Sequence, residues 1–343
     1  MTELVDLELS PEAFGLAPGW ATVVEHLGRH ALRLEDAAQN SSVPGVELLD
    51  GVVELELAVS RERSFPGVNW RMASADFESF FVRPHQIGNP DAIQYTPCPN
   101  GISSWQLYHG PGYWAPITFP VDAWFTIRVA FAGTRADIFV DDLTAPVLAI
   151  DELGLAPRAG GVGLQVGPGV HVARLSYSPG APTLIGVPVP VPPRHPGVIA
   201  SWEVSDAFPE RLVTGLTMLP ASLLGDRRWS RLDAERTGLA NLGRVQGLDA
   251  DRDTAFARAV IDSPSAVLRT LELGFSDRAT LFLNGQALFR GEDTYRSRDY
   301  RFLGSIGWWD AVYLPLKAGR NELVIAVSET FGGWGVQARL VED

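Results

Sequence analysis

The sequence predicts an all-β protein of two β-sandwich (jelly-roll) domains joined by a Pro-rich linker. Three observations predict it: short segments in which apolar and polar residues alternate, Gly, Pro, Asn and Asp turn signals between them, and a proline-rich run in mid-chain. Successive side chains of a strand point to opposite faces, so a period of two marks a sheet buried on one side. Regular short strands without long helical periods are the pattern of a sandwich. A chain of 343 residues also suits two domains of ~150 to 180 residues, each able to bury its own core.

In Gly51–Ser60, Val53, Leu55, Leu57 and Val59 fall on one face and Glu54 and Glu56 on the other. Phe77–Arg83, Trp124–Phe131, Ala136–Val140, Gly161–Val166 and Val170–Tyr177 read as strands in the same way. Between Pro179 and Gly197 the prolines remove amide donors and favour a stiff, extended chain, which places a linker at 179–198 between domains at 1–178 and 199–343. Beyond it, Val267–Leu273, Ala279–Leu283, Ala311–Leu316, Glu322–Val327 and Gly335–Leu340 are strands, with Asn284-Gly285 as a hairpin turn. Leu212–Leu224 is either a short helix or an irregular crossover.

Composition excludes several functions. With 41 acidic against 28 basic residues the net charge of −13 repels a phosphate backbone, and no Lys/Arg run offsets it, so nucleic acid is not an expected partner. No stretch of about 18 apolar residues marks a membrane span, and the N-terminal residues lack the charged and apolar regions of a signal peptide. The expectation is a soluble, cytoplasmic chain, or a secreted one if a leader once preceded it. The single cysteine, Cys98, excludes an intrachain disulfide and a thiolate zinc cage. Self-association into a homo-oligomer stays open.

Gly19-Trp20, Gly51-Val-Val-Glu54, Trp70-Arg71, Trp124 and Gly161-Val-Gly-Leu164, in that order, resemble the concanavalin A-like lectin/glucanase jelly roll, above all laminin-G-like modules and the DUF1080 group, some of whose members act on 3-keto-disaccharides. Residues 279–286, Tyr313–Ile325 and Gly332-Gly-Trp-Gly335 resemble the galactose-binding-like jelly roll found beside many glycoside hydrolases. Together the resemblances imply β architecture first and a carbohydrate ligand second.

The densest polar and aromatic stretch is Arg83–Tyr95, continued by Trp105–Gly110. Aromatic rings stack on the apolar faces of sugar rings, and Arg, His, Asn, Asp and Gln hydrogen-bond hydroxyls in fixed directions. The candidate ligand-binding residues are Arg71, Arg83, Gln86, Asn89, Gln94, Tyr95, Trp105, Tyr108, His109, Trp308 and Trp309. If the chain is an enzyme, His85, Asp91 and Glu78 form the acid/base set. The alternative is structural, with Arg83 paired to Asp91 or Glu78 and Trp105 and Tyr108 in the core or at its rim.

Glycoside hydrolysis needs two carboxylates ~5 to 10 Å apart. Glu54 with Glu56 and Asp76 with Glu78 have that spacing, but the laminarinase-type Glu-x-Asp-x-x-Glu strand is absent, which leaves a polar strand face as the other reading. His85 and His109 with Glu78 or Asp91 form a mixed nitrogen and oxygen set, although their spacing matches no metal motif. No cofactor is assigned; a divalent metal such as calcium is the one candidate. Asp249, Asp251 and Asp253 repeat as calcium-loop ligands do, yet Thr254 and Val260 stand where that loop needs Gly and Glu, so an acidic turn is expected. His26 and His30 would align only on a helix, which the local sequence does not favour. Tyr295, Arg296, Arg298, Asp299, Tyr300, Trp308, Trp309, Asp310, Glu329, Phe331 and Trp334 either line a sugar cleft at a domain interface or pack between domains. Three functions follow: a non-catalytic glycan-binding protein, a hydrolase or lyase acting on a sugar or keto-sugar, and a structural or assembly protein.

Overall fold

Val53, Leu55 and Leu57 are at most 1% exposed, whereas Glu54 and Glu56 on the opposite face of the strand Gly51–Ala58 take ion pairs from Arg128, Arg174 and Arg29. The alternation therefore reports a sheet with one apolar face. This computed structural model describes residues 3–35, 39–299, 301 and 303–341, and Tyr300 lies outside the described residues. The fold is all-β, and its named strands pair antiparallel throughout.

The chain divides into two units, residues 1–98 with 108–190, and residues 99–107 with 191–343. In the first, one sheet runs in the order Leu148–Ile150, Arg135–Val140, Trp124–Ala132, Gly51–Ala58, His171–Pro179, Arg29–Leu34 and Ala21–His26, with Val5–Asp6 beside His171–Pro179. The facing sheet runs Glu47–Leu48, Gly160–Gln165, Gly67–Ala73, Asp76–Val82, Ile93–Cys98 and Trp114–Ala115. Between them lies one apolar core that includes Leu55, Trp70, Phe80, Tyr95, Ile127, Phe131 and Leu164. The sequence-predicted strands of this half all appear, displaced by one or two residues at their ends.

Arg71 joins the two layers. It follows Trp70 in a strand whose register shifts there, and its φ of 52° turns its side chain inward. Its Nε donates to the Leu49 carbonyl at 2.9 Å, and its Nη2 donates to the Gly133 carbonyl at 2.7 Å and to Asp50 at 3.1 Å. The guanidinium lies 5.3 Å from the Phe131 ring centre, and burial lowers its pKa.

In the second unit a six-stranded sheet runs Trp229–Asp233, Ser201–Ser205, Thr254–Ser263, Gly319–Ser328, Arg278–Leu283 and Gln286–Glu292. The four-stranded sheet opposite runs Ala240–Asn241, Gly335–Val341, Val267–Ser276 and Asp310–Leu316. Trp202, Leu271, Leu281, Ile325 and Trp334 fill the space between. Asn284 and Gly285 both have positive φ, 50° and 83°, the backbone a two-residue hairpin turn requires. The segment left open at Leu212–Leu224 is both: an irregular crossover that starts from the 3-10 turn Glu210–Leu212 and ends in a short α-helix, Ala221–Gly225. With its flanks it covers the outer face of the six-stranded sheet, where Phe208, Val213 and Leu219 pack on Phe256, Phe282 and Val324.

The proline-rich run is shared between the units, the first taking it up to Pro190 and the second from Val191 onward. Ile185 and Gly186 donate their amides to Asp137 at 2.6 and 2.7 Å, and Arg194 donates to the carbonyls of Ala234 and Glu235 at 2.8 and 2.7 Å.

Because the Arg71 side chain is 1% exposed and bonds three turn groups, Arg71→Ala removes buried packing and charge-assisted hydrogen bonds and is expected to destabilise the first unit by roughly 2–4 kcal/mol. Urea unfolding followed by tryptophan fluorescence measures this, and a loss under about 1 kcal/mol would deny Arg71 its joining role.

Candidate functional site

The residues expected to form one site in the first unit separate into two groups. Glu78 and Tyr95 belong to the interior, both fully buried. Glu78 stands on the face of its strand that carries Phe80 and Val82, so strand periodicity aims it into the sandwich. Tyr95 Oη donates to Glu78 Oε2 at 2.7 Å and accepts the Gly154 amide at 2.7 Å, while the Leu155 amide donates to Glu78 Oε1 at 2.9 Å. Burial raises the Glu78 carboxyl to about 7. This acid holds the loop at 154–155, and the Arg71 side chain is also buried, while the turns whose carbonyls it meets lie at the surface.

The other group gathers around Arg83, whose guanidinium donates to the Asp91 carbonyl at 2.7 Å and to Gln94 Oε1, and stands 3.9 Å from the Asp91 carboxylate. It also packs on Phe81 and Phe65. Gln94 passes the chain on by donating to the Tyr108 carbonyl at 2.7 Å. His85, on the short turn Pro84–Gln86, meets Phe65 edge-on at 5.4 Å. Its pKa is lowered by burial and then by Arg63 and Arg83, so its imidazole is neutral at pH 7. Asn89 donates to Gln86 at 2.6 Å, and the His109 ring lies 5.6 Å from Trp114. His85 and Asp91 thus share a neighbourhood with Arg83, and Glu78 is bonded elsewhere.

Trp105 belongs to the second unit. Its ring centre lies 5.6 Å from Phe331 and 6.2 Å from Tyr295, and Tyr295 and Phe331 meet at 6.3 Å. Phe331 is 54% exposed. The neighbouring backbone is tight: a Cβ on Gly332 would come within 1.9 Å of Gln106 Oε1, and φ there is 110°. The Gln106 amide donates to the Gly332 carbonyl at 2.8 Å and its Nε2 to the Leu303 carbonyl at 2.8 Å, which seats the 99–107 segment beside both loops. Arg296 lies over Tyr295 at 4.9 Å.

The same unit buries three carboxyls, Asp277, Asp293 and Glu329, each at most 2% exposed. Asp277 Oδ2 accepts the Thr330 amide and Glu329 Oε1 the Gly333 amide, both at 3.0 Å. Asp277 Oδ1 and Glu329 Oε2 have no hydrogen-bond partner among the described residues. Burial, and then the Asp277 charge, raise Glu329 to about 8; burial raises Asp277 as well. Asp293, paired with Arg298 at 3.1 Å, is raised to about 6, mainly by burial. Trp308 and Trp309 engage other neighbours: Arg339 lies over Trp308 at 4.5 Å, and the indole of Trp309 donates to the Ser305 carbonyl at 2.9 Å. Asp277 and Asp293 escaped sequence reasoning because they join Glu329 only through the fold.

No family model matches the chain, and no curated protein matches it. Among solved structures it is similar to the carbohydrate-binding module CBM66 from Bacillus subtilis, at 14% identity over 52% of this chain and 94% of that one, with a TM-score of 0.33. The galectin LEC-6 of Caenorhabditis elegans is 19% identical over 40% of this chain and 89% of its own, with a TM-score of 0.31. A native glycosidic hydrolase is 14% identical over 52% and 91%, with a TM-score of 0.34. Likenesses this distant decide neither ligand nor activity.

The other candidates resolve into local structure. Asp249 pairs with Arg252, and Asp253 accepts the Glu210 amide at 2.8 Å, so the acidic repeat is a hydrogen-bonded turn. His26 and His30 lie on a strand hairpin, where His26 stacks on His171 at 3.6 Å. Among the described residues no three His, Cys, Asp or Glu side chains group as metal ligands, and no helix is long and apolar enough to cross a membrane.

Two outcomes test this geometry. Tyr95→Phe strips Glu78 and Gly154 of a buried partner and is expected to cost about 1–3 kcal/mol in chemical unfolding. Glu329 keeps its proton to about 8 in the folded chain, against 4.5 for an ordinary Glu. Its contribution to stability is therefore complete below pH 4.5 and is lost as pH rises through 8. Glu329→Gln, neutral throughout, is expected to make unfolding free energy fall less steeply between about pH 5 and about pH 8.5. An unchanged slope would place that proton elsewhere.

Proposed function

We propose that the chain is a non-catalytic carbohydrate-binding protein and that Trp105, Tyr295 and Phe331 form its recognition surface. The observation that carries this reading is the exposure of Phe331 within a cluster of three aromatic rings. Rings held at the surface offer apolar faces to the C–H faces of a sugar, and Arg296 beside Tyr295 supplies donors for hydroxyls. The loops are held by hydrogen bonds from Gln106, so little order has to be gained on binding. The same arrangement favours binding over turnover, since the nearby carboxyls are enclosed and partly committed to the Thr330 and Gly333 amides. A hydrolase or lyase built on His85, Asp91 and Glu78 draws less support, because Glu78 is held by Tyr95 and the Leu155 amide inside the sandwich.

Glycan-array screening followed by calorimetry tests this function. Phe331→Ala and Trp105→Ala are each expected to weaken the bound oligosaccharide about tenfold, the loss of roughly 1.4 kcal/mol of stacking. Binding of no glycan, or binding indifferent to both substitutions, overturns the assignment.

A further inference from the structure

The crossover that covers the six-stranded sheet of the second unit leaves part of that face open. Its far end is fastened to the hairpin, where the Leu219 amide donates to the Gly285 carbonyl at 2.7 Å and the Ala287 amide to the Thr217 carbonyl at 2.9 Å. Its near end is fastened by Arg278, which grips Glu210 through Nε and Nη2 at 2.9 Å each. Between the fastenings is a cavity of about 320 Å³, walled by Glu210, Thr214, Arg278, Thr280, Arg290 and Glu292.

We propose that this cavity binds a single neutral sugar ring. Its volume lies at the lower end of the range for small-molecule sites, which suits a ligand of one ring. The wall carries two guanidinium groups and two carboxylates, so formal charge balances and neither an anion nor a cation is favoured. What such a wall favours is a molecule whose every polar group both donates and accepts, and a sugar hydroxyl does both. The charged groups are also held in place. Arg278 Nη1 donates to Thr330 at 3.0 Å, the Glu210 amide is fixed by Asp253, Thr294 donates to Glu292 at 2.7 Å, and Arg290 donates to the Leu216 carbonyl. Groups whose rotamers are set before binding lose little entropy on meeting a ligand. The inference shares only its ligand class with the proposed function and uses none of the three aromatic residues.

Calorimetric or NMR titration of the full chain with neutral hexoses and pentoses, a uronic acid and an amino sugar tests it. The expected result is saturable binding of a neutral monosaccharide at about millimolar concentration, with both charged sugars about tenfold weaker. Thr280→Trp, which fills the cavity, is expected to abolish binding, and Arg290→Ala, at an exposed position that leaves the core intact, to weaken it about fivefold. Phe331→Ala is expected to leave it unchanged. Binding that survives both Thr280→Trp and Arg290→Ala, preference for a charged sugar, or no monosaccharide binding overturns the cavity assignment. If Phe331→Ala alone removes binding, the aromatic surface is the sugar site and the cavity is not.

Discussion

Polar groups carried into a sandwich must find partners there, and Arg71 shows what this requires. A guanidinium among Trp70, Phe131 and the apolar residues of two sheets is tolerable only because carbonyls and a carboxylate from separate turns reach it. Those turns are consequently fixed with respect to the strand that bears Arg71. Glu78 and Tyr95 solve the same problem a few residues away, by joining strands to the loop at 154–155. Residue types that make good sugar ligands are here spent on closing the sandwich, which is why the polar wealth of the first unit does not translate directly into a binding surface.

The second unit uses polar groups differently. Asp277, Asp293 and Glu329 are buried without a full complement of partners, at the base of loops that carry aromatic rings. For Glu329, raised to about 8, retaining a proton is the cheaper solution, because a neutral acid avoids most of the desolvation cost of a buried charge, whereas Asp293 is paired with Arg298. Asp277 and Glu329 accept the Thr330 and Gly333 amides on either side of Phe331, and loops tied to a sandwich in this way are suited to present rings at a surface.

Much of the architecture was legible in the sequence because strand alternation and turn chemistry are local. Val53, Leu55 and Leu57 announced a buried face, and Asn284-Gly285 announced its hairpin. Sites are assembled from residues distant in sequence, and local pattern is silent about them. Trp105 stands close to Tyr108 in the chain, yet the two fall in different units. Arg71 bonds mainly to backbone carbonyls, which every residue possesses, so no motif could betray its partners. The crossover after Glu210 was ambiguous because its apolar residues follow neither period; they pack on Phe256 and Phe282.

Asp137 bears on where the first folded body stops. Its carboxylate is 1% exposed and receives the amides of Ile185 and Gly186, so part of the proline-rich run completes the sandwich that it was expected merely to follow. A fragment cut at Ser178 would keep every strand pairing of both sheets apart from the final residue of one strand, yet would strip Asp137 of the two amides that cap it. The natural border for dissection therefore lies beyond the clasp, after Pro190, and the run acts as a buckle before it acts as a tether.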